Sequence, residues 1–462
     1  MKLRHITIAG CMLCGAALTS CGDSFFEQYP ANEITEGNFY QSDDDFNQGV
    51  RSCYAKLKTE SGYYITELGY RSDESTLLAM ATSTQDRYDI DHFQDVASNG
   101  ICADIWKAWY NGIYRCNDVL DHMTGKESLP NYRQYRGEAL FIRSWFYFNL
   151  YRAFGVVPIV RNVVNPEVAK SIPRCSEQEM YSLLVSDLTE AASLLPAKAG
   201  AEKARVTDIA AWTLLAKVQL TFKRHAEAKA SLDEALKNTS YGLMDNPADV
   251  FDVNKKFNKE LIFVLHYEKT NGEGHGHWYS QKSNVLSEIN SPSPELRALY
   301  STDDLRRPLI WEYIKQGSLY VLKKWYDEYD ATYTSHVGND FPFLRYADIT
   351  LMYAEALAET SVSDALVWLN KTRTRAGLPE LTTAEVSTHD QFVRALADER
   401  GREFALEGHR WFDLVRLGLA IETMHAAGFT LDEHNLLFPI PQNQIEIVNN
   451  ASILWQNPGY NS

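Results

Sequence analysis

The stretch from Asp398 to Gly418, DERGREFALEGHRWFDLVRLG, constrains this chain more than any other. With the residues just before it, it carries apolar positions at Phe392, Leu396, Phe404, Trp411, Phe412 and Val415. Their spacings of three, four, seven and eight are those of a core-facing helix, and predict one long helix beginning near His389. Opposite charges fill the positions between. Glu399–Arg402, Arg400–Glu403, Glu407–Arg410, Arg410–Asp413 and Asp413–Arg416 each fall three apart and can meet on a helix surface. A helix with a bulky aromatic edge and a ladder of charges is suited to clamping other helices together.

Glu403 and Glu407 invite a second reading. One helical turn separates them, which brings two carboxylates to the spacing of a retaining glycosidase. The neighbouring arginines argue for a structural role, because they hold these acids ionised, whereas a general acid needs a raised pKa. No GxSxG, HExxH, P-loop or helix-opening GxGxxG is present. No catalytic constellation stands out, although missing motifs leave room for a scattered carboxylate pair; the expectation is a protein that is not an enzyme and needs no cofactor, with a surface glycoside hydrolase as the alternative of a different class.

The N-terminus reads as a targeting segment. Lys2 and Arg4 precede a short apolar run from Ile6 to Leu18, too short to stay in a bilayer as a spanning helix. Leu18-Thr19-Ser20-Cys21 fits a lipobox, so Cys21 is the expected lipidation site and residues 1–20 the signal peptide. The other readings are an ordinary secretory signal and acylation at Cys14. The net charge of −16 excludes broad binding of DNA or RNA, which needs a cationic face. Cys53, Cys102, Cys116 and Cys175 show no metal-ligand spacing, and no disulfide pairing is legible. His275 and His277 without a third ligand make a weak metal site, so no metal is expected.

Along the chain, Asp43, Asp44 and Asp45 open a helix. Residues 61–99 read as a long irregular polar loop, of the kind that is usually functional. Aromatic helices are expected over 101–123 and 131–154, the latter ended by Gly155 and Pro158. Within 207–238, Ala216, Ala228, Leu232 and Ala235 carry the spacing of twelve, four and three that marks a tetratricopeptide helix pair. With further pairs at 43–123, 131–195 and 346–376, the fold class is mainly α: a tetratricopeptide-like α-superhelix of about four helix pairs, long loop insertions and a few short strands. Strands are expected at Leu261–Leu265 and in LLFPIP near the C-terminus.

ERGREFALEGHRWFDLVRLG, with LRYADITLMYAEALAE at 344–359, LNKTRTRAGLP at 369–379 and LFPIPQNQIEIVNN…LWQNPGY at 437–460, resembles the SusD/RagB family. The resemblance implies an outer-membrane lipoprotein of Bacteroidetes, anchored by lipid and facing the cell exterior. It would bind oligosaccharide and deliver it to a SusC-like TonB-dependent transporter. It divides the chain into the signal peptide 1–20, an N-terminal region of helical repeats at 21–240, and a C-terminal region at 241–462 with ligand loops and the final repeat. Peptide capture, as in RagB-type relatives, is the alternative within binding proteins, and a structural adaptor whose tetratricopeptide grooves hold only protein is a third class.

The loops at 61–99 and 271–333 combine polar backbone with Tyr and Trp, the pairing that suits sugars. Flat rings stack on the apolar face of a pyranose, while polar side chains take its hydroxyls. The expected platforms are Trp278, Tyr279, Trp311 and Tyr88, with Asp73, Arg87 and Asn271 as polar partners. Each competes with a packing or capping role.

Overall fold

The computed structural model describes residues 39–58, 68–77, 85–271, 280–282, 291–316, 319–328, 332 and 338–461. Its first helix, α1 (Asp43–Lys56), starts at a reciprocal cap in which Ser42 and Asp45 satisfy each other's backbone N–H groups. A two-residue strand β1 (Ser75–Thr76) and a short helix α2 (Gln85–Asp91) follow, within a region whose polarity had predicted only loop. Helix α2 is tied down from outside: the Asn99 amide donates to the Asp86 carbonyl and the Gly100 N–H to the Asp86 carboxylate.

The long helices α3 (Gly100–His122) and α4 (Tyr132–Phe154) agree with the expected spans. They approach closely, since a Cβ at Gly112 would lie 2.3 Å from the Phe146 ring. Gly155, at φ 73, ends α4. Next come α5 (Glu177–Leu194), α6 (Asp208–Thr221) and α7 (His225–Ala235). Ala216, Ala228, Leu232 and Ala235 are all buried where α6 meets α7, so the small residues serve the close helix approach that their spacing implied.

An insertion then separates this pair from the last one. It carries β2 (Leu261–Leu265), β3 (Ser280–Lys282), β4 (Ser291–Pro292), the short helix α8 (Arg307–Trp311), β5 (Tyr313–Gln316), β6 (Leu319–Leu322) and β7 (Phe341–Arg345). Strands β2 and β7 pair antiparallel and are buried along their length. Phe263 and Phe343 lie against Trp145 of α4, the Trp145–Phe343 ring centroids being 4.3 Å apart. The β2–β7 ladder is thus part of the core. The final pair is α9 (Tyr346–Ala358) and α10 (Val362–Arg375). Helix pairs α1/α3, α4/α5, α6/α7 and α9/α10 make the four repeat units, and the fold is a tetratricopeptide-like helical array.

The charged stretch departs from expectation. It forms two helices, α11 (His389–Glu403) and α12 (Arg410–Arg416), not one. Between them Leu406 takes φ 63 and Gly408 φ 75, and left-handed residues break a right-handed helix. Of the five i,i+3 pairs, Glu399–Arg402 at 3.2 Å and Asp413–Arg416 at 2.9 Å form. Arg400, Glu403, Glu407 and Arg410 turn to other elements. LLFPIP also departs from expectation: it is not a strand but an irregular segment, in which the Phe438 N–H donates to the Ala153 carbonyl and the Ile440 N–H to the Gln456 side chain.

Among the described residues no helix is long and apolar enough to cross a membrane, and no group of three or more His, Cys, Asp or Glu is placed to hold a metal. Cys53, Cys102, Cys116 and Cys175 are free thiols.

Candidate functional site

A buried ion network fixes the scaffold beneath the loops. Arg345, 1% exposed at the end of β7, donates to Glu260 at 2.7 Å, Glu403 at 2.9 Å and both oxygens of Glu407 at 2.8 and 2.9 Å. Lys324 donates to Glu407 at 2.7 Å, while Arg375 and Arg306 also reach Glu403. Burial works to raise the Glu403 carboxyl, but Arg375, Arg345 and Arg306 together outweigh it and hold it well below the ordinary carboxylate range. A group held ionised in this way does not suit general-acid work, so the spacing of Glu403 and Glu407 serves packing.

The same stretch grips the first loop. Arg410 donates to both oxygens of Asp73, each at 2.7 Å, and Asp73 is 8% exposed. This corrects the sequence expectation for Asp73: its carboxylate is committed to a guanidinium in a fork-to-fork pair and is not available to a sugar hydroxyl. A buried carboxylate requires such a partner.

The two regions expected to bind ligand are joined directly. Strands β1 and β4 pair, Ser75 opposite Pro292 and Thr76 opposite Ser291. The Ser293 N–H donates to the Glu74 carbonyl at 3.2 Å, and the Ser293 hydroxyl donates to the Asp73 carbonyl.

The candidate residues divide into three groups. Tyr88 and Arg87 are half-buried on α2. The Tyr88 ring stacks on His92, centroids 3.8 Å apart, and His92 meets the edge of Phe429. Trp311 ends α8 and is 39% exposed. Asn271 closes a 3₁₀ turn over Lys269–Asn271, while Trp278 and Tyr279 lie outside the described residues. Tyr88 and Trp311 stand on separate elements and do not stack on each other.

Two residues that the sequence reading did not name flank Trp311. The Arg307 guanidinium lies 4.3 Å from the indole centroid and that of Arg297 5.4 Å. Neither has a carboxylate partner among the described residues, in a chain with 61 acids. Arg307 precedes Trp311 by four on a helix, a legible i,i+4 signal. Arg297 reaches the ring only through the fold. An exposed indole with two cations at its face offers both an apolar surface and hydrogen-bond donors.

Four paired helical repeats, with the described candidate aromatics Tyr88 and Trp311 carried outside them on α2 and α8, define a repeat scaffold with inserted elements. Two family descriptions match: "Starch-binding associating with outer membrane" over residues 28–220 and "SusD family" over residues 311–460, the second beginning within the insertion. The SusD-like protein P25 of Formosa agariphila is 25% identical, over 97% of each chain. A SusD-like protein from Bacteroides fragilis superposes with a TM-score of 0.79 at 24% identity, over 94% of this chain and all of that one. Surface glycan-binding protein A from Bacteroides thetaiotaomicron, solved in complex with laminarihexaose, gives a TM-score of 0.76 at 21% identity, over 90% of this chain and all of that one. The chain belongs to the SusD family.

Proposed function

We propose that this chain is a cell-surface glycan-binding lipoprotein, anchored through Cys21, which captures oligosaccharide and hands it to a TonB-dependent outer-membrane transporter. The observation that carries the binding half is Trp311, an exposed indole flanked by two arginines, on the same insertion as the β1–β4 junction. Family membership and the relative holding laminarihexaose support the ligand class. Trp278, Tyr279, Tyr88, Arg87 and Asn271 are proposed to complete the surface. Stacking with a few hydrogen bonds suits a carrier, because weak contacts release cargo without chemistry.

Calorimetry of the mature protein against β-glucan and α-glucan oligosaccharides and against mixed peptides tests this. Trp311→Ala is expected to weaken the bound glycan by about tenfold, the loss of roughly 1.4 kcal/mol. Peptide binding in place of glycan, or glycan binding that Trp311→Ala leaves unchanged, would overturn it. Hydrolysis of the bound glycan would favour the glycosidase reading instead.

A further inference from the structure

A cavity of about 440 Å³ lies between the α5–α6 connection and β2, away from Trp311 in the sequence. Its volume falls in the roughly 300–1,000 Å³ range of small-molecule sites. Five cations line it, Lys198, Lys203, Arg205, Lys256 and Lys259, and no carboxylate does. The carboxylates nearest these cations stand behind Arg205, Lys256 and Lys259, not behind Lys198 or Lys203.

Two of the five are held by the protein. Arg205 donates to Glu138 at 2.8 Å and to Glu202 at 2.9 Å, and the Lys256 ammonium donates to the Tyr267 carbonyl at 2.6 Å and lies 3.4 Å from Glu268 and 3.7 Å from Asp340. Lys259 is only loosely engaged, 3.5 Å from the fully exposed Asp245. Lys198 and Lys203 are exposed and have no partner among the described residues. Against these ammonium groups stand the half-buried rings of Tyr241 and Phe257 and the apolar strand β2. Phe257 is held at φ 53, a left-handed conformation that is strained for a bulky residue and that clusters at ligand clamps. Uncompensated cations beside flat rings are the complement of a ring that carries an anionic substituent.

We propose that this cavity is a second ligand site that takes an anionic pyranose, carboxylated or sulfated. The preference for an anion stands on the cavity alone; the sugar rests on the carrier reading above.

The test is titration calorimetry of the full mature chain with four probes: trigalacturonate, its fully methyl-esterified neutral counterpart, a sulfated lactose, and hexaglutamate. Lys198→Ala/Lys203→Ala removes two exposed ammonium groups with no partner to lose, so the melting temperature should hold. The variant is expected to weaken at least one acidic probe by about tenfold or more, and to leave the neutral one unchanged. Wild-type affinity for that acidic probe should fall as salt rises. Acidic saccharides that bind wild type and variant alike would overturn the second site while leaving the Trp311 reading intact. Equal loss for the neutral probe would overturn the anion preference, and tighter lysine-dependent binding of hexaglutamate would replace the sugar by an acidic peptide. Failure of every saccharide, neutral or acidic, would remove both readings together.

Discussion

Arg345 shows how much one side chain holds in this fold. Three carboxylates, Glu260, Glu403 and Glu407, converge on its guanidinium, and all four groups are almost fully buried. Replacing Arg345 with Met leaves those charges without their shared cation. Breaking a buried pair from one side costs about 3–5 kcal/mol, so urea unfolding of Arg345→Met should show at least that loss; a midpoint near wild type would refute the assignment. Asp91 is the contrasting case, a buried carboxylate at the end of α2 whose pKa burial pushes up to about 8, partly offset by a backbone hydrogen bond from Leu77. Below the ordinary carboxylate pKa of about 4, folded and unfolded states both carry the proton. Between there and about 8 only the folded state keeps it, so stability falls as pH rises through that window. Asp91→Asn should flatten this part of the profile. Melting temperatures at pH 5 and pH 8.5 should lie closer together in the variant than in wild type, and an unchanged gap would count against the shifted carboxyl.

At the scale of elements, the turn between α11 and α12 aims the charged residues at buried partners on other elements. A continuous helix would hold Glu407 and Arg410 one turn apart on a single face; the turn sends Glu407 to Arg345 and Arg410 to Asp73. Gly408 takes φ 75 there, and a Cβ in that conformation costs about 1–2 kcal/mol. Gly408→Ala should lower unfolding free energy by that amount, measured by denaturant titration, and a neutral or stabilising result would show that the turn adapts freely. The turn escaped the sequence reading because charges at three-residue spacing run through it without a break, and Gly408 was the one local sign of it. The helix pairs were legible because Ala216, Ala228, Leu232 and Ala235 encode their contact within twenty residues. The partners of Glu403 were not legible: Arg345 lies 58 residues away, and nothing local marks the meeting. The same division runs through the candidate site. Trp311 could be picked out by residue type and Arg307 by spacing, whereas Arg297 is brought there by the chain's path.

At the scale of the molecule, four repeat pairs make the frame and the insertions carry the residues proposed to meet ligand. The frame is closed by contacts between distant parts of the chain. Arg71, beside the first loop, donates to the carbonyls of Asn435 and Leu437 and to the hydroxyl of Tyr460, and Asp73 is clasped by Arg410 across 337 residues of sequence. A chain emerging from the ribosome makes Asp73 early and Arg410 late. Through most of synthesis, therefore, the first loop lacks its Arg410 clasp, even once β4 has emerged to pair with β1, and its fastening is completed only when the C-terminal segment has arrived. Premature termination after α10 would thus leave every repeat pair encoded and still deprive the first loop of its C-terminal fastening.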